Sequence, residues 1–142
     1  MTNVGVVGSR TFKDYAFLCD QLDMFWLFLG AFTVVSGGAT GADTMAVRWA
    51  NAHKLPIPIV FPADFYKLGH PEAVIKMDRR NRPYDAAAGF RRNQEIIDAS
   101  DMLIAFWNEK SPGTKDSIER AKQAGKPVYV LWPVQERVYG TR

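Results

Sequence analysis

The sequence has one cysteine, Cys19, and only two histidines, His53 and His70. A single thiol can neither close an internal disulfide nor build a thiolate zinc cluster, so Cys19 reads as a small core side chain of a reducing compartment, with no base placed beside it for catalysis. The two histidines are far apart and in no metal-ligand spacing. They read as a helix-end histidine and a loop histidine, and neither a metal nor a cofactor is implied. Long apolar runs are also missing. Met24 to Leu29 is apolar, but six residues fall far short of the ~20 that span a bilayer, and the opening Met-Thr-Asn-Val lacks the basic start of a signal peptide. The expectation is a cytoplasmic chain with no membrane partner.

What is present suits one domain spanning residues 1–142. Of its 142 residues, 47% are hydrophobic and 13% aromatic, enough for one continuous core. The charge is uneven: Lys67 to Arg92 carries a net +4 within a chain whose total is +3, so the positive field is concentrated in one segment.

Along the chain, short β-branched or apolar runs alternate with helical periodicity. Val4 to Val7 reads as a buried strand ending in Gly8-Ser9-Arg10. Asp14 then caps a helix to about Gly30 with Leu18, Leu22, Trp26 and Leu29 on one stripe. Phe25 and Phe28 lie off that stripe, either as a second buried side or as a self-association surface through the helix 14–30. Phe32 to Val35 is the next strand, and Ser36-Gly37-Gly38-Ala39-Thr40-Gly41-Ala42-Asp43 leads directly into a helix through about His53. Ile57 to Phe61 forms a third strand, which lies at a sheet edge or pairs on one side only at Pro58, since Pro58 has no N–H to donate.

Residues 64–88 are the least regular, interrupted by Gly69, Pro71 and Pro83, with a short helix expected over Ala73 to Arg80. A helix follows from Gly89, then a strand from Met102 to Trp107, a loop from Asn108 to Thr114, a helix from Lys115 to Ala124, a strand from Pro127 to Trp132, and a loosely held tail over 133–142. Such alternation predicts an α/β, Rossmann-like three-layer domain with a mostly parallel sheet of about five strands, covered on both faces and joined by right-handed crossovers.

In an open parallel sheet, ligands bind beyond the carboxyl ends of the strands, and the polar, glycine-rich motifs here fall at that edge. In the Ser36 to Asp43 turn, Gly37, Gly38 and Gly41 allow close backbone approach, and the helix start presents free N–H groups to an anion. The alternative is a tight turn capped by Thr40 or Asp43. Ser111-Pro112-Gly113-Thr114 opens a second helix in similar fashion. Gly8, Ser9 and Arg10 follow the first strand, and Arg10 is suited to clamp a phosphate. Arg91, Arg92 and Asn93 stand at a helix start, where the dipole disfavours cations, so a negative group is expected nearby. Asp43, Asp116 and Glu119 are the carboxylates within reach. For Glu119 a surface pair is the favoured reading.

GSRTF, SGGATGAD, PADF, AAGFRRNQEII, DMLIAFW and the PGT loop, in that order, resemble the YspA-like, YpsA-related branch of the SLOG superfamily from Val4 to Trp132. The departure is at 70–85, a basic insertion between the PADF and AAG-RN elements. The resemblance implies a pocket for a nucleotide or nucleotide derivative, since SLOG relatives include LOG-type phosphoribohydrolases, sensor domains for cyclic ADP-ribose-like molecules, and DprA. The glutamate of the LOG motif is absent after Gly113-Thr114, leaving Asp116 as its candidate substitute. Fold kinship alone does not decide function.

Three functions follow. In the first, the chain binds a nucleoside phosphate or ADP-ribose-like ligand through Gly8, Ser9, Arg10, Ser36, Gly37, Gly38, Gly41, Arg92, Gly113 and Thr114, with Asp43 or Asn93 reading ribose hydroxyls. In the second it is a hydrolase of an N-glycosidic bond with Asp43 or Asp116 as the catalytic carboxylate. In the third, ranked last, it binds nucleic acid through the basic segment.

Overall fold

The computed structural model describes residues 1–134. Five strands form a parallel sheet in the order β3-β2-β1-β6-β7: β1 (Thr2–Gly8), β2 (Phe32–Ser36), β3 (Ile59–Val60), β6 (Met102–Phe106) and β7 (Val128–Leu131). A separate antiparallel pair, β4 (Ile75–Met77) and β5 (Pro83–Asp85), makes a hairpin. Four helices complete the chain: α1 (Tyr15–Leu29), α2 (Ala42–Ala52), α3 (Ala88–Ala99) and α4 (Pro112–Gln123). The α/β, Rossmann-like, three-layer arrangement expected from the sequence is the one observed.

Strand alternation divides the core between the two faces of the sheet. Val4, Val6, Ile104 and Phe106 pack with Leu18 and Leu22 of α1 and Ala46 and Trp49 of α2. Val7, Leu103 and Ala105 face the other way, against Ile96 and Ile97 of α3 and Ile118 of α4. Because β1 is followed by β2 and β3 on one side and joined by β6 and β7 on the other, the strand order reverses between β1 and β6. That reversal opens a crevice at their carboxyl ends.

Local chemistry accounts for the element ends. Asp14 caps α1, its Oδ1 accepting from the Phe17 amide at 2.9 Å. His53 closes α2, its Nδ1 2.8 Å from the Trp49 carbonyl oxygen, and His70 sits in a loop, 3.0 Å from the Glu72 amide. Cys19 is half-buried against the α1–α2 core. Phe25 leans on Tyr129 of β7 with ring centroids 5.1 Å apart, whereas Phe28 is 79% exposed. No helix among the described residues is long and apolar enough to cross a membrane.

Three sequence expectations need correction. The helix over Ala73 to Arg80 is instead the β4–β5 hairpin. Asp78 Oδ1 accepts from the amides of both Arg80 and Arg82 at 2.9 Å, and Asn81 takes a left-handed φ of 60°. A side chain that captures neighbouring amides competes with helical bonding, and Pro83 cannot continue a helix. The third strand shrinks from Ile57–Phe61 to Ile59–Val60, at the sheet edge and with Pro58 outside it. Finally, Pro112 to Thr114 is not loop: α4 starts at Pro112, with Ser111 as its cap accepting from the Thr114 amide, the usual place for a proline in a first turn. Of the tail expected at 133–142, residues 135–142 lie outside the described residues.

Candidate functional site

The loops after β1, β2 and β6 and the start of α3 meet in one cleft of about 180 Å³ at the strand-order reversal. From the sequence-derived set, Gly8, Arg10, Asp43, Arg92, Asn93, Gly113 and Thr114 line it, joined by Phe65 and Phe90. Arg10 is exposed and also borders two flanking grooves, one toward Asn108 and Lys110 and one toward Gly37 and Pro62. Arg10 is thus shared by all three.

The two glycine turns differ in what fills them. At the α2 start, the Asp43 carboxyl is buried. Burial pushes it up to about 6, against the opposing pull of the Arg92 guanidinium and of the amides of Ala39, Gly37 and Gly8. A turn in which a ligand phosphate would seek free amides already holds a protein carboxylate beside Gly37. Arg92 Nη1 donates to the Gly37 carbonyl at 2.7 Å and the Phe61 carbonyl at 3.3 Å. Gly37 is what admits it: a Cβ there would lie 2.3 Å from Arg92 Nη1 and 2.9 Å from Asp43 Oδ2. The negative group expected beside Arg92 is Asp43. Arg91, for its part, is paired with the buried Asp85.

Ser36 and Ser9 are buried with their hydroxyls committed. Ser36 donates to the Asp43 carbonyl at 3.0 Å and accepts from the Gly38 amide at 3.1 Å. Ser9 donates to Asn108 Oδ1 at 3.0 Å. Gly41 has φ +92°, and a Cβ there would approach the Ser9 carbonyl to 2.6 Å, so it lets the first turn of α2 press on the loop after β1.

At the α4 start the arrangement is open. Nothing lies within 4 Å of a Cβ built on Gly113, and Ser111, Thr114 and Ser117 join it along the cleft. Asn93, buried, donates to the Gly113 carbonyl and to Asp116 Oδ2, both at 3.1 Å, and so ties α3 to α4. Asp116 is held by Arg120 at 2.7 Å and is not among the cleft-lining residues. Glu119 makes a surface pair with Lys115 at 3.9 Å.

Burial lowers the basicity of Arg92, Asp43 raises it, and nearby Arg10 lowers it again. Two guanidiniums lining one cleft favour an anion there.

Sequence reasoning missed four contributors. Phe65 and Phe90 both sit in motifs that were visible, PADF and AAGFRRN, but by sequence Phe90 is only an apolar position of its helix, whereas in the structure it is 41% exposed at the cleft. Asn108 arranges the 108–111 turn, its Oδ1 accepting from the amides of Lys110 at 2.9 Å and Ser111 at 3.0 Å. Ser117 lines the cleft one turn beyond Gly113 and carries no local sequence signal.

A parallel sheet with helices on both faces and a polar cleft at its strand-order reversal defines the chain as a Rossmann-like α/β protein. It belongs to the YspA, cpYpsA-related SLOG family, whose profile matches residues 2–67. Gene 61 protein of Mycobacterium phage D29 is similar along nearly its whole length, 32% identical over 134 residues that cover 90% of this chain and 94% of the phage protein. Among solved structures, DNA processing protein A from Helicobacter pylori, described for its single-stranded DNA binding mode, matches 97% of this chain and 67% of its own at TM-score 0.64 and 22% identity. DprA from Streptococcus pneumoniae matches 99% of this chain at TM-score 0.67 and 21% identity. This chain spans only about half of that protein, 53% of its length.

Proposed function

We propose that the cleft binds a nucleotide or nucleotide-derived ligand, a nucleoside phosphate or ADP-ribose-like molecule, in the cytoplasm. The observation that carries this reading is that one cleft is lined by two guanidiniums, Arg10 and Arg92, and by two aromatic rings, Phe65 and Phe90. An anionic group satisfies the first and a flat base the second. Family membership and the DNA-binding description of the Helicobacter pylori protein support the same ligand class. Calorimetry against nucleoside phosphates, ADP-ribose and cyclic ADP-ribose isomers tests it. Arg10→Ala is expected to weaken binding by about tenfold or more, the scale of a lost charge-assisted hydrogen bond. No binding by the wild type, or equal binding by the variant, overturns the reading.

A second reading is favoured by Asp43, a carboxyl lining the cleft with its pKa near 6, where a general base is effective. Asp43 takes a proton from a water that attacks the anomeric carbon of a bound nucleotide. The C–N bond breaks with its electron pair on the base, which picks up a proton from solvent. Asp116 acts through Asn93 as a positioning group. Release of free base from nucleoside monophosphates is the assay; full turnover by both Asp43→Asn and Asp116→Asn discards this reading.

A further inference from the structure

The β4–β5 hairpin holds most of the segment 70–85, and nothing in the cleft chemistry requires it. Its construction is nonetheless specific. Asp78 shapes the tip through the Arg80 and Arg82 amides and also accepts from Arg82 Nε at 3.0 Å and from the Tyr66 hydroxyl at 3.1 Å. The Arg82 guanidinium lies over the Tyr66 ring, 4.9 Å from its centroid. The tip carboxylate and one arginine are thus consumed as braces. Arg79 and Arg80 remain exposed at the turn, and among the described residues neither has a carboxylate oxygen within the 4.0 Å of an ion pair. Lys76 shares this freedom, on the face where it pairs with Tyr84.

The base of the hairpin is fixed to the cleft wall. Asp85, sealed from solvent by its immediate neighbours, accepts from the amides of Val74 and Ala87, both at 3.0 Å, and is paired with Arg91. Its Arg91 partner and those amides hold the carboxyl down at about 2, so the anchor stays ionised at any physiological pH. The neighbouring Ala86 and Phe65 line the cleft itself.

We infer that this hairpin is a nucleic-acid-binding arm, along which a single strand seated in the cleft continues, its phosphates meeting Arg79, Arg80 and Lys76. The inference rests on the proposed nucleotide cleft. From Asp85 to Pro83 the strand rises about 7 Å, and the turn 78–82 carries Arg79 and Arg80 past its end, beyond a mononucleotide held in the cleft but within reach of an oligonucleotide. A single strand suits the arm better than a duplex, because the cleft accepts one unpaired base against Phe65 and Phe90. Unneutralised arginines on a narrow arm give backbone contacts without sequence readout.

Fluorescence anisotropy with a labelled oligothymidylate of about 15 nucleotides, read over a range of salt, tests the inference beside calorimetry with mononucleotides. R79A/R80A alters only exposed side chains and is expected to weaken oligonucleotide binding about tenfold. It should also flatten the log–log salt dependence by about 1.4, the contribution of two single-strand phosphates, while mononucleotide binding stays unchanged. Equal oligonucleotide affinity in the variant overturns the inference. So does equal binding of a duplex of the same length, or equal competition by polyglutamate, which would make the arm a general polyanion surface. Oligonucleotide binding untouched by Arg10→Ala overturns the continuity between cleft and arm. Absence of mononucleotide binding alone overturns the proposed function and leaves the arm standing.

Discussion

The turn from β2 into α2 and the turn from β6 into α4 look alike as sequence, each a glycine-bearing passage from an apolar strand to a helix start, yet they fold into opposites. In the first, Gly37 makes room for Arg92, and the buried Asp43 carboxyl stands beside it. In the second, Gly113 has open space above it and its turn borders the cleft. Glycine richness marks where the backbone must be approached closely. It does not say whether the approaching group belongs to a ligand or to the protein.

Exchanging the glycines breaks the comparison most directly. Gly41→Ala forces a Cβ toward the Ser9 carbonyl at 2.6 Å with the backbone at φ +92°, and chemical denaturation should show a loss of about 3 kcal/mol. Next in size is Arg92→Met, which leaves the Gly37 and Phe61 carbonyls without their donor and Asp43 without its compensating charge. About 2 kcal/mol is expected from the same measurement, together with a further rise of the Asp43 pKa.

Asp43 sharpens the contrast through pH. Its folded pKa of about 6 lies above its ordinary 3.8, so the native state holds the proton more tightly than the unfolded chain does. The stability it contributes is complete below about pH 4 and is lost as pH rises through about 6. Denaturation midpoints followed across that window should fall with rising pH in the wild type, and Asp43→Asn should flatten the decline. An unchanged pH profile in the variant would assign the effect elsewhere. Affinity for an anionic ligand is expected to fall over the same window, since ionised Asp43 repels it.

The smallest effect belongs to the open turn. Gly113→Ala meets no atom within 4 Å and replaces a poor helix former in the first turn of α4, so thermal unfolding should show a gain of up to about 1 kcal/mol. A loss comparable to that of Gly41→Ala would mean that the two turns are not different after all.

The parallel sheet and its helices were legible because their signals are local. Val4 to Val7 and Met102 to Phe106 announce buried strands by composition, and Asp14 announces α1 by its capping oxygen. The hairpin was misread because its decisive contacts, from Asp78 to two amides and to Tyr66, depend on one side chain that the apolar pattern does not reveal. Of the candidate site, Arg10, Arg92 and Gly113 reach one cleft together, while Ser9 and Ser36 were placed there by sequence but are engaged in holding the loops.

The sequence by itself determined the alternation of strands and helices and the edge at which polar turns collect, since hydrophobic period and turn chemistry are properties of near neighbours. Only the tertiary structure decided which turn is filled and which is open. Arg92 meets the Gly37 carbonyl across a separation of 55 residues, and a guanidinium's position relative to a distant carboxylate is set by how helices pack on the sheet, a relation that no stretch of chain carries alone.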